Sequence, residues 1–237
     1  MHISFMDNVI DSRRFWQNLI FLVFWGCLSL TNVKACPASE IKPLAQKPSE
    51  IDYVQGLQYA LSPSYTNDLD NTVQLAEKFC DDYRQQNPDS KNLAIVSDLD
   101  ETLLDNRPFY KVNPKFNHKA YHEWVISNVA PLLEPTAKFL SRERKNGYAI
   151  FLLTGRRERD RVATTYNLVK QNVDYDGLFL KPNDFKGHAY DFKTNVRKAI
   201  EDMGFKIVEN IGDQVSDLYG GYAIDCVKLP NKMYFVP

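Results

Sequence analysis

A short apolar run that ends in two closely spaced carboxylates constrains this chain more than any other feature. Residues 94–97 (Ala-Ile-Val-Ser) predict a buried strand, and Asp98 and Asp100 follow at its end. In α/β proteins the carboxyl ends of parallel strands form the edge of the sheet that binds ligands. Two acids this close repel each other unless a cation or a proton lies between them. The stretch is therefore consistent with a metal-assisted site or with a strand that ends in an acidic, solvated turn.

After residue 132 the chain alternates between strand and helix patterns, which predicts a parallel sheet covered by helices. Polar side chains follow two of the predicted strands: Thr154 follows 148–153, and Asp213 and Asp217 follow 206–211. Right-handed crossovers place all these strand ends at one edge, so we expect them to meet the first carboxylate pair there. The same patterns predict helices at 134–146, 158–171 and 191–203, and short strands at 177–180 and 223–227.

Residues 106–132 interrupt this alternation directly after the first strand, so we expect a small cap over its acidic end. The segment is rich in aromatic residues, among them Tyr110 and Trp124. A structural flap with its own core and a lid whose rings stack on a substrate are both consistent with this composition. His118 and His122 have the spacing of a metal pair on a helix, but no third ligand has suitable spacing. We therefore interpret them as exposed residues of the cap.

The side chains expected at the sheet edge define a chemistry. Clustered carboxylates bind a hard cation that prefers oxygen ligands, such as Mg²⁺. A hydroxyl group and a lysine ammonium bind phosphate oxygens. Phosphoryl transfer needs both, because positioning and charge neutralisation provide most of its catalysis. The formal net charge of −1 indicates no large basic field that would attract a nucleic acid polymer.

Four motifs resemble those of the haloacid dehalogenase (HAD) superfamily of phosphatases. They are Asp98-Leu99-Asp100-Glu101-Thr102, Thr154-Gly155-Arg156, Lys193 and residues 212–217 (Gly-Asp-Gln-Val-Ser-Asp). With Asn106 and residues 228–234 added, the chain is similar to the exported acid phosphatases of that superfamily: the bacterial class B and class C enzymes and the plant acid phosphatase and vegetative storage protein group. The resemblance covers roughly residue 52 to the C-terminus. It implies a Rossmann-like α/β fold with a mainly parallel sheet flanked by helices and a small helical cap inserted after the first strand.

The resemblance also implies roles for the carboxylates. Asp98 would be the nucleophile that forms a phospho-aspartyl intermediate. Asp100 would be the general acid that protonates the leaving oxygen and then the base that activates water. The implied cofactor is Mg²⁺, bound by Asp98, Asp213 and the backbone carbonyl of Asp100, with Asp217 binding it directly or through water.

Thr154 and Lys193 would hold the transferring phosphoryl group. Lys181 and Lys186 are nearby alternatives to Lys193, which is favoured only by its Phe-Lys-Thr neighbourhood. The implied substrate is a small phosphate monoester. Tyr110 and Trp124 suggest that it has a flat part, such as a nucleobase. Arg156 is interpreted either as a substrate contact or as a residue engaged in a salt bridge or a helix cap.

The N-terminal region predicts export. Residues 1–35 contain Arg13 and Arg14, then an apolar stretch, then small residues before Cys36, as in a signal peptide. An uncleaved anchor and a lipoprotein acylated at Cys36 (or Cys27) are the alternatives, and only these two would attach the protein to a membrane. Residues 36–50 predict a linker and 51–237 the phosphatase domain. We therefore expect a periplasmic or secreted protein, or an outer-membrane lipoprotein.

Two further points stay open from the sequence. Outside the cytoplasm Cys80 and Cys226 could pair, but Cys80 also has the spacing of a small core residue on a helix. A non-catalytic storage or binding protein on the same fold is the alternative function. A receiver domain is excluded because it has no acid two residues after its phosphorylated aspartate.

Overall fold

The computed structural model describes residues 53–113 and 116–236. Within them a sheet of five parallel strands has the order β3-β2-β1-β4-β5. The strands are β1 (Leu93–Ser97), β2 (Ala149–Arg157), β3 (Gly177–Lys181), β4 (Lys206–Gly212) and β5 (Asp225–Lys228). The predicted parallel α/β fold is therefore confirmed. The strand with the two carboxylates at its end, β1, lies in the centre of the sheet.

Helices flank the sheet and form the insertion after β1. The described helices are α1 (Tyr53–Ala60), α2 (Pro63–Gln86), α3 (Arg107–Val112), α4 (His118–Ser127), α5 (Glu134–Lys145), α6 (Arg161–Lys170), α7 (Ala189–Asp202) and α8 (Val215–Leu218). None of them is both long and apolar enough to cross a membrane. The helix predicted from residue 158 begins at Arg161, because a separate 3-10 turn, Glu158–Asp160, precedes it.

The long helix α2 covers the sheet with one apolar face. Ser62 begins it by accepting a hydrogen bond from the Tyr65 amide at 3.3 Å, and Pro63 occupies its first turn. Cys80 is a fully buried free thiol on this face, as the helical spacing predicts, and the Tyr148 hydroxyl donates to its carbonyl at 2.9 Å. Cys226 is disulfide-bonded, so the two cysteines do not pair with each other.

The insertion after β1 is closed at its base. The amide of Asp105 donates to the Pro131 carbonyl at 2.8 Å, and the amide of Leu133 donates to the Leu103 carbonyl at 2.9 Å. Between these points lie α3 and α4, which together we call the cap. The chain therefore leaves the end of β1 and returns to almost the same place, so the cap stands over the first carboxylate pair.

The proposed signal peptide and linker, residues 1–50, lie outside the described residues.

Candidate active site

Asp98 lies directly after β1 and contacts an ammonium group supplied by α7. Lys193 Nζ is 2.5 Å from Asp98 Oδ1 and 2.6 Å from Asp217 Oδ1. Burial acts to lower the pKa of Lys193, but Asp217 and Asp98 outweigh it and raise the pKa above its ordinary value. The lysine is therefore held as a cation between two buried carboxylates.

Three carboxylates form the acidic floor of the site. Oxygen atoms of Asp98, Asp213 and Asp217 lie within 4.8 Å of one another. Burial raises the pKa of Asp213 to about 6, and the neighbouring Asp217 adds to this. Burial likewise raises the pKa of Asp98 well above its ordinary value, although Lys193 opposes the shift. Because the acids destabilise one another's charge, the cluster fits a bound divalent cation, which would stabilise all three as carboxylates.

Amide side chains fix the direction of Asp213. Asn231 Nδ2 donates to Asp213 Oδ2 at 2.6 Å, and Gln214 Nε2 donates to the same oxygen at 2.7 Å. Thr102 Oγ1 donates to the other oxygen, Oδ1, at 3.4 Å. Carboxylates that bind metals are commonly held by such outer hydrogen bonds. Oδ1 of Asp213 therefore accepts fewer and longer hydrogen bonds than Oδ2, so it is the oxygen more available to a cation.

Asp100 is not one of these three clustered carboxylates and is held by an arginine. Arg156 Nη2 is 2.6 Å from Asp100 Oδ1, and Arg156 Nε is 3.1 Å from both carboxylate oxygens. Burial acts to raise the pKa of Asp100, but the charge and hydrogen bonds of Arg156, with help from Tyr121 and Asn106, lower it. Arg156 thus forms a salt bridge, which is one of the two interpretations that the sequence left open.

A hydrogen-bond chain links Asp100 to the cap. Asn106 Nδ2 donates to Asp100 Oδ1 at 2.9 Å, and Trp124 Nε1 donates to Asn106 Oδ1 at 2.7 Å. Thr154, which is fully buried, has its Oγ1 3.5 Å from Asp100 Oδ2 and 3.1 Å from the Arg156 amide that donates to it. The structure therefore places Thr154 next to Asp100 and connects Trp124 to Asp100 through Asn106.

A cavity of about 730 Å³ opens above these residues. The predicted residues that line it are Asp98, Asp100, Tyr110, Arg156, Lys193, Asp213 and Asp217. Trp124 and Thr154 are not among the lining residues. On the cap side the wall contains Phe116, which is 48% exposed, and Tyr121, which packs against it.

The cap histidines line the same cavity without forming a metal pair. His122 Nδ1 lies 2.8 Å from Asp160 Oδ1, and the His118 ring makes an edge contact with Phe116. In residues 53–113 and 116–236, the group with metal-ligand geometry consists of carboxylates alone.

Several residues at the site were missed from the sequence. Ser216 lines the cavity, and its buried Oγ has no hydrogen-bond partner within the described residues. Glu101, buried in a left-handed backbone conformation with φ of 58°, accepts hydrogen bonds from the Tyr234 hydroxyl and the Asn106 amide. Ser216 and Glu101 both lie inside matched motifs, so their proximity to the site could have been found. Tyr234 and Asn231 belong to residues 228–234, the C-terminal segment that is part of the family resemblance.

Comparisons with known proteins agree with this geometry. Residues 27–237 match the family model for the HAD superfamily, subfamily IIIB (acid phosphatase). Acid phosphatase 1 from Solanum lycopersicum is 34% identical over 206 residues, which cover 84% of this chain and 79% of that protein. The Stem 28 kDa glycoprotein from Glycine max is 33% identical over 188 residues, covering 76% and 72%. The class C acid phosphatase from Bacillus anthracis has the same fold, with a TM-score of 0.63 at 20% identity over 78% of this chain and 86% of that one.

Proposed function

The chain belongs to subfamily IIIB of the HAD superfamily, the acid phosphatases, and from this premise we propose that it hydrolyses small phosphate monoesters through a covalent intermediate on Asp98. Membership makes it a phosphoric monoester hydrolase. The observation that carries the proposed mechanism is the position of Asp98, which lines the cavity beside the Lys193 ammonium and has a carboxylate oxygen within 4.8 Å of those of Asp213 and Asp217.

The proposed first step is transfer of the phosphoryl group to Asp98. A carboxylate oxygen of Asp98 attacks phosphorus, and the bond from phosphorus to the leaving oxygen breaks. Asp100 in its protonated form passes its proton to the leaving oxygen, so the alcohol departs neutral; because, against the effect of burial, Arg156 lowers the pKa of Asp100, acidic pH favours this form. Lys193 Nζ lies 2.5 Å from Asp98 Oδ1, so its positive charge stabilises the negative charge of a phosphoryl group that is transferred to Asp98.

The second step is hydrolysis of the acyl phosphate. Asp100, now a carboxylate, takes a proton from water, and the water oxygen attacks phosphorus. The bond between phosphorus and Asp98 breaks, which releases inorganic phosphate and regenerates the Asp98 carboxylate. The Arg156 salt bridge holds Asp100 at one place through both steps.

Asp98, Asp213 and Asp217, with the backbone carbonyl of Asp100, would hold Mg²⁺. When bound, this cation neutralises the carboxylates and the developing charge on the phosphoryl oxygens.

The leaving group would lie in the cavity under the cap. A nucleobase remains our candidate for the flat part of a substrate, because Tyr110, Phe116 and Tyr121 line that wall. Of these, Phe116 has the most exposed ring, whereas Tyr110 is 3% exposed. Phe116 is therefore the better stacking surface of the two.

We further propose that the protein is exported, on the strength of the signal-peptide pattern of residues 1–35. Mass spectrometry of the N-terminus of the protein from its native host tests this. A chain that begins near Cys36 supports cleavage, and an added lipid mass on Cys36 would identify a lipoprotein. A chain that still begins at Met1 contradicts both.

The mechanism is tested with purified protein and p-nitrophenyl phosphate in the presence of Mg²⁺. We expect turnover, and we expect a phosphorylated protein that can be trapped by acid quenching. Asp98→Asn should lower kcat by at least about three orders of magnitude, the scale seen when a nucleophile is removed. Asp184→Asn, an exposed acid in the loop after β3, is the matched control and should retain activity. No turnover by well-folded wild-type protein would favour the storage or binding alternative.

A further inference from the structure

The wall of the cavity contains a lysine that the proposed mechanism does not use. Lys181 is the last residue of β3, lines the cavity and is half-buried. Within the described part of the chain its ammonium group has neither a carboxylate partner nor a hydrogen-bond acceptor. An ammonium group has three N–H donors and cannot accept, so a half-buried one without an acceptor loses solvation that the described residues do not replace.

Three other cations of this wall are already paired with carboxylates. Arg156 binds Asp100, and Lys193 binds Asp98 and Asp217. Arg159 lies 3.9 Å from Asp160. The charges of these groups are therefore largely compensated by acids of the protein itself.

Arg157 adds to the positive charge beside Lys181. The two residues are partners across β2 and β3. Arg157 Nη1 donates to the carbonyls of Pro182 at 2.8 Å and Phe185 at 3.0 Å, which fixes the loop after Lys181. These carbonyls carry no net charge, and no carboxylate of residues 53–113 and 116–236 pairs with Arg157. Burial lowers the pKa of Lys181, and repulsion from Arg157 and Lys193 lowers it further.

We propose that Lys181, with Arg157 beside it, forms a subsite for a second anionic group of the substrate. The favoured substrates are then phosphate monoesters that also carry a carboxylate or a second phosphate. This inference rests on the proposed function, because it assigns a place to the part of the substrate that is not transferred. The subsite is separate from the transferring phosphoryl group, which must lie against Asp98, where Lys193 already supplies the cation.

The physical reason is charge balance in a partly dehydrated cavity. An anion at Lys181 would supply the acceptors that the ammonium lacks and would offset the repulsion among Lys181, Arg157 and Lys193. A site built around an unpaired polar group discriminates against a ligand that lacks the matching partner. We therefore expect this subsite to select among substrates more than to accelerate the chemical step.

Two matched pairs of substrates test the proposal. In the first, 2-phosphoglycerate differs from glycerol 2-phosphate by a carboxylate in place of a hydroxymethyl group. In the second, 4-carboxyphenyl phosphate is compared with phenyl phosphate, which places the carboxylate farther from phosphorus on a rigid ring. The measured quantity is the ratio of kcat/KM for the doubly anionic substrate to that of its partner, at low ionic strength and with Mg²⁺ present.

We expect the wild-type enzyme to favour the doubly anionic member of at least one pair by about tenfold, and added salt to reduce this preference. Lys181→Met should bring the ratio close to one, and Lys181→Arg should retain most of it. Lys186→Met removes an exposed lysine in the following loop and should leave the ratio unchanged.

Three outcomes would overturn the proposal. The wild-type enzyme could turn over both members of each pair equally well. Lys181→Met could keep the preference, or it could slow both substrates by the same factor, as expected if Lys181 only assists the transferring phosphoryl group. These results would leave the proposed function in place, whereas a failure to hydrolyse any of the four esters would contradict both.

Discussion

The guanidinium group of Arg156 holds the carboxylate of Asp100 from the side, with Nη2 2.6 Å from Oδ1 and Nε 3.1 Å from both oxygens. Both groups belong to segments that follow neighbouring strands, β1 and β2. The arginine side chain is 2% exposed, so solvent screens the pair little. Arg156 is therefore placed to position the proton carrier, although it lines the cavity as well.

Arg156→Met should lower kcat more than it changes KM. Without its cation Asp100 loses both its fixed direction and its charge partner, so we expect kcat to fall by about 10²-fold, the lower range for a general acid–base residue. Steady-state kinetics with p-nitrophenyl phosphate measures both constants. Arg161→Met, which breaks a pair with Glu158 and changes a side chain that is not among the cavity-lining residues, is the control. A large rise in KM with little change in kcat would instead identify Arg156 as a substrate contact.

Asp213→Asn should weaken metal binding. In the wild-type protein, Mg²⁺ at about 100 times its Kd should stabilise the fold by about 2.7 kcal/mol, which corresponds to a rise in Tm of roughly 5–10 °C. The variant loses one of three clustered carboxylates, so we expect the Tm shift to need at least about tenfold more Mg²⁺. Thermal unfolding across a Mg²⁺ titration measures this without reference to activity. An identical titration curve for Asp202→Asn and Asp213→Asn would contradict the assignment.

Phe116 and Trp124 should affect substrates in different ways. Phe116→Ala removes an exposed ring of the cavity wall, so we expect it to raise KM for nucleoside monophosphates by about five- to one-hundredfold, the range of one base–aromatic stack. It should change KM for glycerol 2-phosphate much less.

Trp124→Phe, in contrast, keeps an aromatic ring, although a smaller one, and removes the N–H that donates to Asn106 Oδ1. It should therefore change kcat for all substrates by one common factor. Val112→Ala, on an exposed cap residue that does not line the cavity, serves as the control for both variants. Equal effects of Phe116→Ala on every substrate would show that the ring is not a stacking surface.

Glu209 should make the fold less stable as pH rises. This residue of β4 is fully buried, and neither carboxyl oxygen has a well-formed hydrogen bond within the described residues, although the peptide groups of Asn210 and Val227 favour its charged form. Burial raises its pKa well above the ordinary value of 4.5, and Asp225 on β5 adds to this. Above pH 4.5, Glu209 has released its proton in the unfolded chain but still keeps it in the folded protein. The contribution of Glu209 to the free energy of unfolding is therefore highest below about pH 4.5 and falls with rising pH, by up to about 1.4 kcal/mol per pH unit.

Glu209→Gln should reduce this slope between pH 5 and pH 8, because the amide does not titrate. Urea unfolding at several pH values gives the slope for each protein. Cys80 of α2 also faces Glu209 but is itself uncharged in this range, since burial raises the pKa of its thiol. Glu123→Gln on the exposed face of the cap should leave the slope unchanged. Parallel pH profiles for the wild-type protein and Glu209→Gln would contradict the assignment.

The sheet and its acidic edge could be predicted because they depend on patterns within short stretches. Apolar runs of β-branched residues mark buried strands, and the residue after each run falls at the same edge. Asp98 and Asp213 were therefore placed correctly by topology alone. Lys193 could be identified only by its neighbours in sequence, because α7 brings it to Asp98 from outside the strand ends.

Side-chain directions in the cap could not be predicted. The sequence shows that the cap is rich in aromatic residues, but it does not show that Tyr110 lines the cavity and that Trp124 does not. That depends on how α3 and α4 fold back on the C-terminal segment, where Tyr234 packs on Tyr110 and donates to Glu101. Lys181 posed the same difficulty, since its lack of a partner is a property of three-dimensional surroundings and not of spacing.

The closed base of the cap has an evolutionary consequence. Because the peptide groups at residues 103–105 are hydrogen-bonded to those at residues 131–133, the intervening chain begins and ends at one point. Segments of different length or composition could be exchanged there at little entropic cost and without moving Asp98 or Asp100. A chimera that keeps Asn106 and carries a foreign cap between residues 107 and 130 should therefore inherit the donor's preference for the part of the substrate that contacts the cap, whereas the preference set by Lys181 should stay.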